Sequence, residues 1–241
     1  MSLCAEGKFK RFHPMNKNKS KPVVYYPIFL NIQGKRSIVI GGGNVALRKI
    51  KTLLECRAKV IVISPKPHPE VSKLSEERMI RLIERDYKAS DLKDAVIAIV
   101  CTNVKRVNRK AADEARKAGV LVNVSDDPER SDFIIPSFFR RGNLTVAVST
   151  SGGSPALARK IRTKLEKSFG EEYGSLLSVV EAVRSVMKKK GVRLEAEAWY
   201  KVLDLGSLIS LLKTGQEEKA KTFLFRKLKT YRSDYKIKTR L

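Results

Sequence analysis

The sequence predicts an α/β protein: a doubly wound parallel sheet, then a small α+β region, then a helical C-terminal part. Three observations carry this. Val/Ile runs recur without polar alternation, helical patterns separate them, and a glycine-rich turn joins the first run to the first helix. Unbroken apolar runs mark strands buried on both faces, hence a parallel sheet covered by helices.

After an approach segment or short edge strand at 25–30, strands are predicted at 37–40, 59–63, 80–84, 95–101 and 120–124. Helices are predicted at 45–56, 69–77 and 104–118, with Ala118-Gly119 as a helix stop. The turn Gly41-Gly42-Gly43-Asn44-Val45-Ala46 reads as G-x-G-x-x-A between strand and helix. Gly41 permits the tight turn, Gly43 lets backbone approach a phosphate, and Ala46 allows close helix–strand packing. Free N–H groups and the positive end of the helix dipole then face an anion. This context gives the turn its meaning as a dinucleotide-binding, Rossmann-like element.

The acidic residue that ends the second strand in many NAD-binding folds is absent. Ser64-Pro65-Lys66 stands there instead. Ser64 suits a neutral ribose contact, while Lys66 suits a phosphate or open solvent. The residues leave NAD and NADP both open.

Beyond Asp126 the pattern changes. Strands are predicted at 133–139 and 144–149, joined by a turn at Gly142-Asn143. A second glycine turn, Thr150-Ser151-Gly152-Gly153-Ser154-Pro155, leads to a helix at 156–169, with Ser154 as N-cap and Pro155 in the first turn. From 171 onward the chain reads as all-helical, with breaks near Gly191, Gly206 and Gly215. The expected divisions are a disordered basic leader at 1–23, a nucleotide-binding domain at 24–132, a dimerisation region at 133–170 and a helical domain at 171–241.

Composition sets limits. An apolar fraction of 42% excludes a wholly disordered chain. No apolar run reaches the ~18 residues that a spanning helix needs, and the basic N-terminus lacks the apolar core of a secretory signal. The three cysteines, Cys4, Cys56 and Cys101, are widely spaced, which argues against a disulfide framework or zinc site. With His13 in the leader and His68 in a proline-flanked loop, no metal site is expected. Cytoplasm is the expected compartment. The net charge of +25 favours polyanions, but few aromatics offer no base-stacking platform, which argues against nucleic acid as the main partner.

Four motifs stand in order: 39–49 around the first glycine turn, Asn123-Val124-Ser125-Asp126-Asp127, Phe133-Ile134-Ile135-Pro136-Ser137, and 147–159 around the second glycine turn. Together they resemble the precorrin-2 dehydrogenase family, the dehydrogenase part of siroheme synthases, over about 24–169. The resemblance implies NAD-dependent oxidation of precorrin-2 to sirohydrochlorin, by a homodimer that shares its central strands and helix. Some members also insert ferrous iron. No uroporphyrinogen methyltransferase domain is expected in these residues. The matched aspartate is Asp126. Cofactor contacts fall by position on Asn44, Val45, Pro65 and Lys66, and by fold analogy on Thr102 and Asn103. Thr150 holds the place of a serine that carries a phosphate in some relatives.

The chemistry of the residues agrees with that implication. Precorrin-2 is a polycarboxylate, and arginine suits bidentate carboxylate binding. Arg140, Arg141, Arg159, Lys160 and Arg162 flank the second turn, with Ser151 and Gly152 inside it, and form the candidate substrate site. Asp126, at the end of strand five, is the candidate general base, and Asp127 before Pro128 reads as a turn residue. Two alternatives stay open: a bifunctional dehydrogenase and ferrochelatase, and a non-enzymatic, nucleotide-sensing protein that binds nucleic acid. The two central strands are apolar and a lone hairpin is marginal in water, so a two-fold dimer is expected to cover them.

Overall fold

The computed structural model describes residues 23–234. All but the last residue of the expected leader lies outside them. The chain divides after Phe133 into two compact units.

The first unit is a five-stranded parallel sheet. Its strands are β1 (Arg36–Ile40), β2 (Lys59–Ile63), β3 (Arg81–Ile83), β4 (Ile97–Val100) and β5 (Leu121–Val124), in the order β3-β2-β1-β4-β5. Helices α1 (Asn44–Glu55), α2 (Pro69–Glu76) and α3 (Lys105–Lys117) cover it. Ile38, Val39, Ile40, Val62, Ala98 and Val100 are all buried, as the continuous runs require. Ala46 of α1 and Ala111, Ala112 and Ala115 of α3 are fully buried, so short side chains bring both helices close to the sheet.

Several expected boundaries move. β3 keeps only three residues of 80–84, and β4 begins at Ile97 rather than at 95. The segment at 25–30 is no strand; Val24, Tyr26 and Phe29 are exposed, and the chain is first anchored by buried Ile32. The strand expected at 133–139 begins only at Ser137. The cause lies in the edge of β5. Val122 N–H donates to Asp132 Oδ2 (2.9 Å), Val124 N–H to Ser131 Oγ (2.9 Å), and Asn123 Nδ2 to the Phe133 carbonyl (2.9 Å). Residues 131–133 thus strap the free edge of β5, which would otherwise present unpaired donors.

In the second unit, β6 (Ser137–Arg141) and β7 (Leu144–Val148) pair antiparallel across the Gly142-Asn143 turn. Helix α4 (Pro155–Ser168) follows, then α5 (Glu172–Lys189), α6 (Ala196–Val202), α7 (Leu205–Lys213) and α8 (Glu217–Asp234). Leu176, Val179 and Val183 of α5 meet Leu208 and Leu212 of α7 and Ala220, Leu224 and Leu228 of α8 in one core. Breaks occur at Gly191 and Gly215, but Gly206 lies inside α7. The break there precedes it, because Asp204 Oδ1 accepts Ser207 N–H (3.1 Å) and starts the helix.

Candidate functional site

The strand order reverses direction between β1 and β4, and the crevice at such a switch point lies outside the carboxyl ends of the strands. The rim is built by extending the ladder one residue past each strand. Gly41 N–H donates to the Ile63 carbonyl (2.9 Å), Cys101 N–H to Ile40 (2.9 Å) and Ser125 N–H to Val100 (2.8 Å). The residues next in line are Gly42, Thr102 and Asp126.

The glycine turn fits the backbone of a dinucleotide. Gly41 has φ +113°, and a Cβ on it would stand 2.6 Å from the Cys101 carbonyl oxygen. A Cβ on Gly42 would meet Ser64 Oγ at 2.7 Å and Pro67 Cα at 2.9 Å, while one on Gly43 would meet nothing within 4 Å. Gly41 and Gly42 are therefore required by the fold itself. Gly43 instead borders open space, where a phosphate can reach the backbone. Gly43 is the N-cap of α1, no side chain caps that helix, and its first turn holds no acidic residue. Its end N–H groups remain open to an anion. The sequence pattern carried no role for Gly42; its signal was the triple glycine itself.

Asn44 is exposed and Val45 half-buried at this turn. Ser64 is 4% exposed and packed against Gly42, whereas Pro65 and Lys66 are exposed beyond it. His68 N–H donates to the Gly42 carbonyl (2.8 Å), and its ring Nδ1 accepts Glu70 N–H (3.1 Å), so this histidine caps α2 and braces the turn. Thr102 Oγ1 lies 2.6 Å from Asn108 Oδ1 and accepts Val104 N–H (3.1 Å), which fixes the loop that presents exposed Asn103.

Asp126 is exposed at the end of β5 with φ +63°, a left-handed conformation that aspartate tolerates better than most side chains. Its neighbour Asp127 is a helix cap: its carboxylate accepts Arg130 N–H (3.2 Å) and pairs with the Arg130 guanidinium (3.3 Å). The 3-10 turn Pro128–Arg130 and the strap over β5 thus hold Asp126 in place. Ser125 Oγ beside it is buried without a hydrogen-bond partner. Lys49 of α1 is half-buried. Burial lowers its pKa from the ordinary lysine value, while Cys101 and Asp126 oppose the change. Sequence reasoning passed over Lys49; the available signal was a lysine three residues after Ala46 and one before Ile50, on the packed side of α1.

The basic candidates lie in the second unit and are not alike. Arg141 Nε donates to the Phe169 carbonyl (2.9 Å) and Nη2 to the Glu166 carbonyl (3.2 Å), tying β6 to the end of α4. Arg162 pairs with Glu166 on its own helix. Arg140 is exposed, with its guanidinium 5.1 Å from the Phe138 ring centre. Arg159 lines an open groove of about 690 Å³ along α4, together with Lys160, Thr163, Lys164 and Lys167. Ser151 (φ +52°) and Gly152 (φ +83°) form an exposed turn at the head of that helix. Among the described residues, no three His, Cys, Asp or Glu side chains gather as metal ligands, and no helix is long and apolar enough to cross a membrane.

Comparison with known proteins follows the same division. Residues 28–137 match the family described as putative NAD(P)-binding, and residues 141–168 the family described as the central part of a sirohaem biosynthesis protein. The siroheme synthase of Nitrosococcus oceani is 38% identical over 198 residues, which are 81% of this chain and 42% of that protein. The siroheme synthase of Nitrosomonas europaea is 36% identical over 203 residues, 83% of this chain and 42% of its own length. The chain thus spans about two-fifths of the curated relatives it matches. The solved structure of SirC, a precorrin-2 dehydrogenase, aligns with TM-score 0.65 over 86% of this chain and 100% of that one; at 23% identity this shows a shared fold. With both family descriptions met in sequence order, and with relatives this similar across four-fifths of its length, the chain belongs with the NAD(P)-binding and central parts of sirohaem biosynthesis proteins.

Proposed function

We propose that this chain oxidises precorrin-2 to sirohydrochlorin with NAD, with Asp126 as general base. The observation that carries this reading is the meeting of the open glycine turn and Asp126 on one rim of the sheet. When bound, the nicotinamide accepts the hydride. The chain's own residues do the rest. The turn and the free N–H groups of α1 would hold the pyrophosphate, with Ser64 on the ribose side and Thr102 and Asn103 toward the nicotinamide. Pro65 and Lys66 border the adenosine end. The substrate loses a hydride to the cofactor and a proton to the Asp126 carboxylate, which is open to water and passes it on.

For the polycarboxylate substrate we propose Arg140, Ser151, Gly152 and Arg159, with Lys160 and Lys164 of the same groove. Arg141 and Arg162 are already engaged within their unit and serve to shape it. Leu157 (50% exposed) and Ile161 (38% exposed) form an apolar stripe on α4, beside a hairpin whose strands are only half-buried. This supports a homodimer through β6, β7 and α4; cytoplasm is the compartment we propose for it.

The test is anaerobic turnover. Precorrin-2 with NAD is expected to give the absorption spectrum of sirohydrochlorin, and no turnover with NAD or NADP overturns the activity. Asp126→Ala is expected to lower kcat by about 10²-fold or more while NADH binding stays within a factor of two. Light scattering at micromolar protein checks the dimer; a mass of one chain, 27.1 kDa, refutes it.

A further inference from the structure

The loop after β2 is pinned to the glycine turn along its length. A Cβ on Gly42 would stand 2.7 Å from Ser64 Oγ and 2.9 Å from Pro67 Cα, so both ends of the loop press on Gly42. The Gly42 carbonyl also accepts His68 N–H (2.8 Å), and Ser64 N–H donates to the Ile83 carbonyl (3.1 Å). Lys66 lies one Cα step, about 3.8 Å, before Pro67. Its backbone is therefore held beside the turn, while its side chain is exposed.

In a dinucleotide-binding sheet, the end of the second strand meets the adenosine ribose. A carboxylate there accepts the 2′-hydroxyl and repels a 2′-phosphate, and a cation does the reverse. Here β2 leads into Ser64, neutral and 4% exposed, then Pro65 and Lys66. Among the described residues, Lys66 has no hydrogen bond or ion pair that would hold its ammonium elsewhere. The acids nearest along the chain and the ladder are Glu70 and Glu84. Glu70 is already taken by Lys51 Nζ (2.7 Å). Glu84 follows Ile83 of β3, one strand further from the glycine turn.

Building on the dinucleotide-binding reading above, we infer that Lys66 is a specificity residue: its ammonium admits a 2′-phosphate at the adenosine ribose, so the chain takes NADPH as well as NADH. Lysine serves a phosphate as a point charge on a flexible stem, without the fixed fork of an arginine. An exposed side chain on a pinned backbone meets that need. The selection is electrostatic, so reversing the charge at 66 reverses it.

The test is a binding measurement on the full chain and needs no turnover. NADH and NADPH are titrated separately by their own fluorescence, at one ionic strength because salt screens such contacts. The two wild-type dissociation constants are expected within about fivefold of each other. Lys66→Ala is expected to shift their ratio about tenfold against NADPH, and Lys66→Glu further, while Lys66→Arg keeps the wild-type ratio. Lys117, the exposed last residue of α3, controls for the general charge of the chain, and Lys117→Ala is expected to leave the ratio unaltered. A stronger wild-type preference for NADH overturns the proposal, as does an unchanged ratio in Lys66→Ala or an equal shift in Lys117→Ala. Binding of NADH alone overturns it and leaves the dinucleotide reading standing, whereas binding of neither overturns both.

Discussion

The two glycine turns look alike in sequence and differ in what they leave open. The first, at 41–43, starts α1 with Gly43 as N-cap and no side chain on the helix end. The second, at 151–153, starts α4 with Ser154, whose Oγ accepts Leu157 N–H (3.2 Å), while Thr150 Oγ1 accepts Ser154 N–H (3.0 Å). One helix end is satisfied by its own chain. The other has no side-chain cap. A glycine-rich turn before a helix is thus not in itself a phosphate site; what distinguishes the two is whether a hydroxyl has already taken the free donors.

The largest effect is expected from Gly41→Ala. The new methyl would need the space of the Cys101 carbonyl, and φ +113° suits no side chain. Loss of NADH binding, read by fluorescence, and a lowered unfolding temperature are expected together; wild-type values of both would mean that the turn is not constrained as described.

A more selective change makes the first turn resemble the second. Gly43→Ser has room and an ordinary extended backbone, φ −83° and ψ −170°. A serine there caps α1, so thermal stability is expected to rise by a few tenths of a kcal/mol. NADH affinity is expected to fall about tenfold or more, because the hydroxyl takes a donor and fills the approach to the backbone. Unchanged affinity would show that these N–H groups do not hold the cofactor.

The converse change is the smallest. Ser154→Ala is expected to cost about 1 kcal/mol in chemical denaturation and to leave NADH affinity unaltered. A loss of affinity equal to that of Gly43→Ser would erase the distinction between the turns.

What the sequence reveals tracks how local the cause is. Val/Ile runs and the glycine triplet report burial and turn geometry within a few residues, so the sheet and its crevice were legible. Residues 133–136 are as apolar as a strand, yet the Phe133 carbonyl serves Asn123 on β5, ten residues earlier in the chain. No pattern near Phe133 announces that. The helix break expected near Gly206 falls just before it, where Asp204 caps α7. Among the basic residues, Arg141 and Arg159 are equally plausible clamps in sequence. Only folding shows that Arg141 is engaged by Phe169 and Glu166, while Arg159 lines a groove.

The strap over β5 also sets how this domain can associate. With the outward N–H groups of Val122 and Val124 satisfied by Asp132 and Ser131, that side of the sheet offers no template for another chain. The opposite edge, β3, is three residues long. Neither border supports the strand-by-strand growth that turns crowded α/β proteins into fibrils, so at high concentration this unit is protected by geometry as well as by its charge.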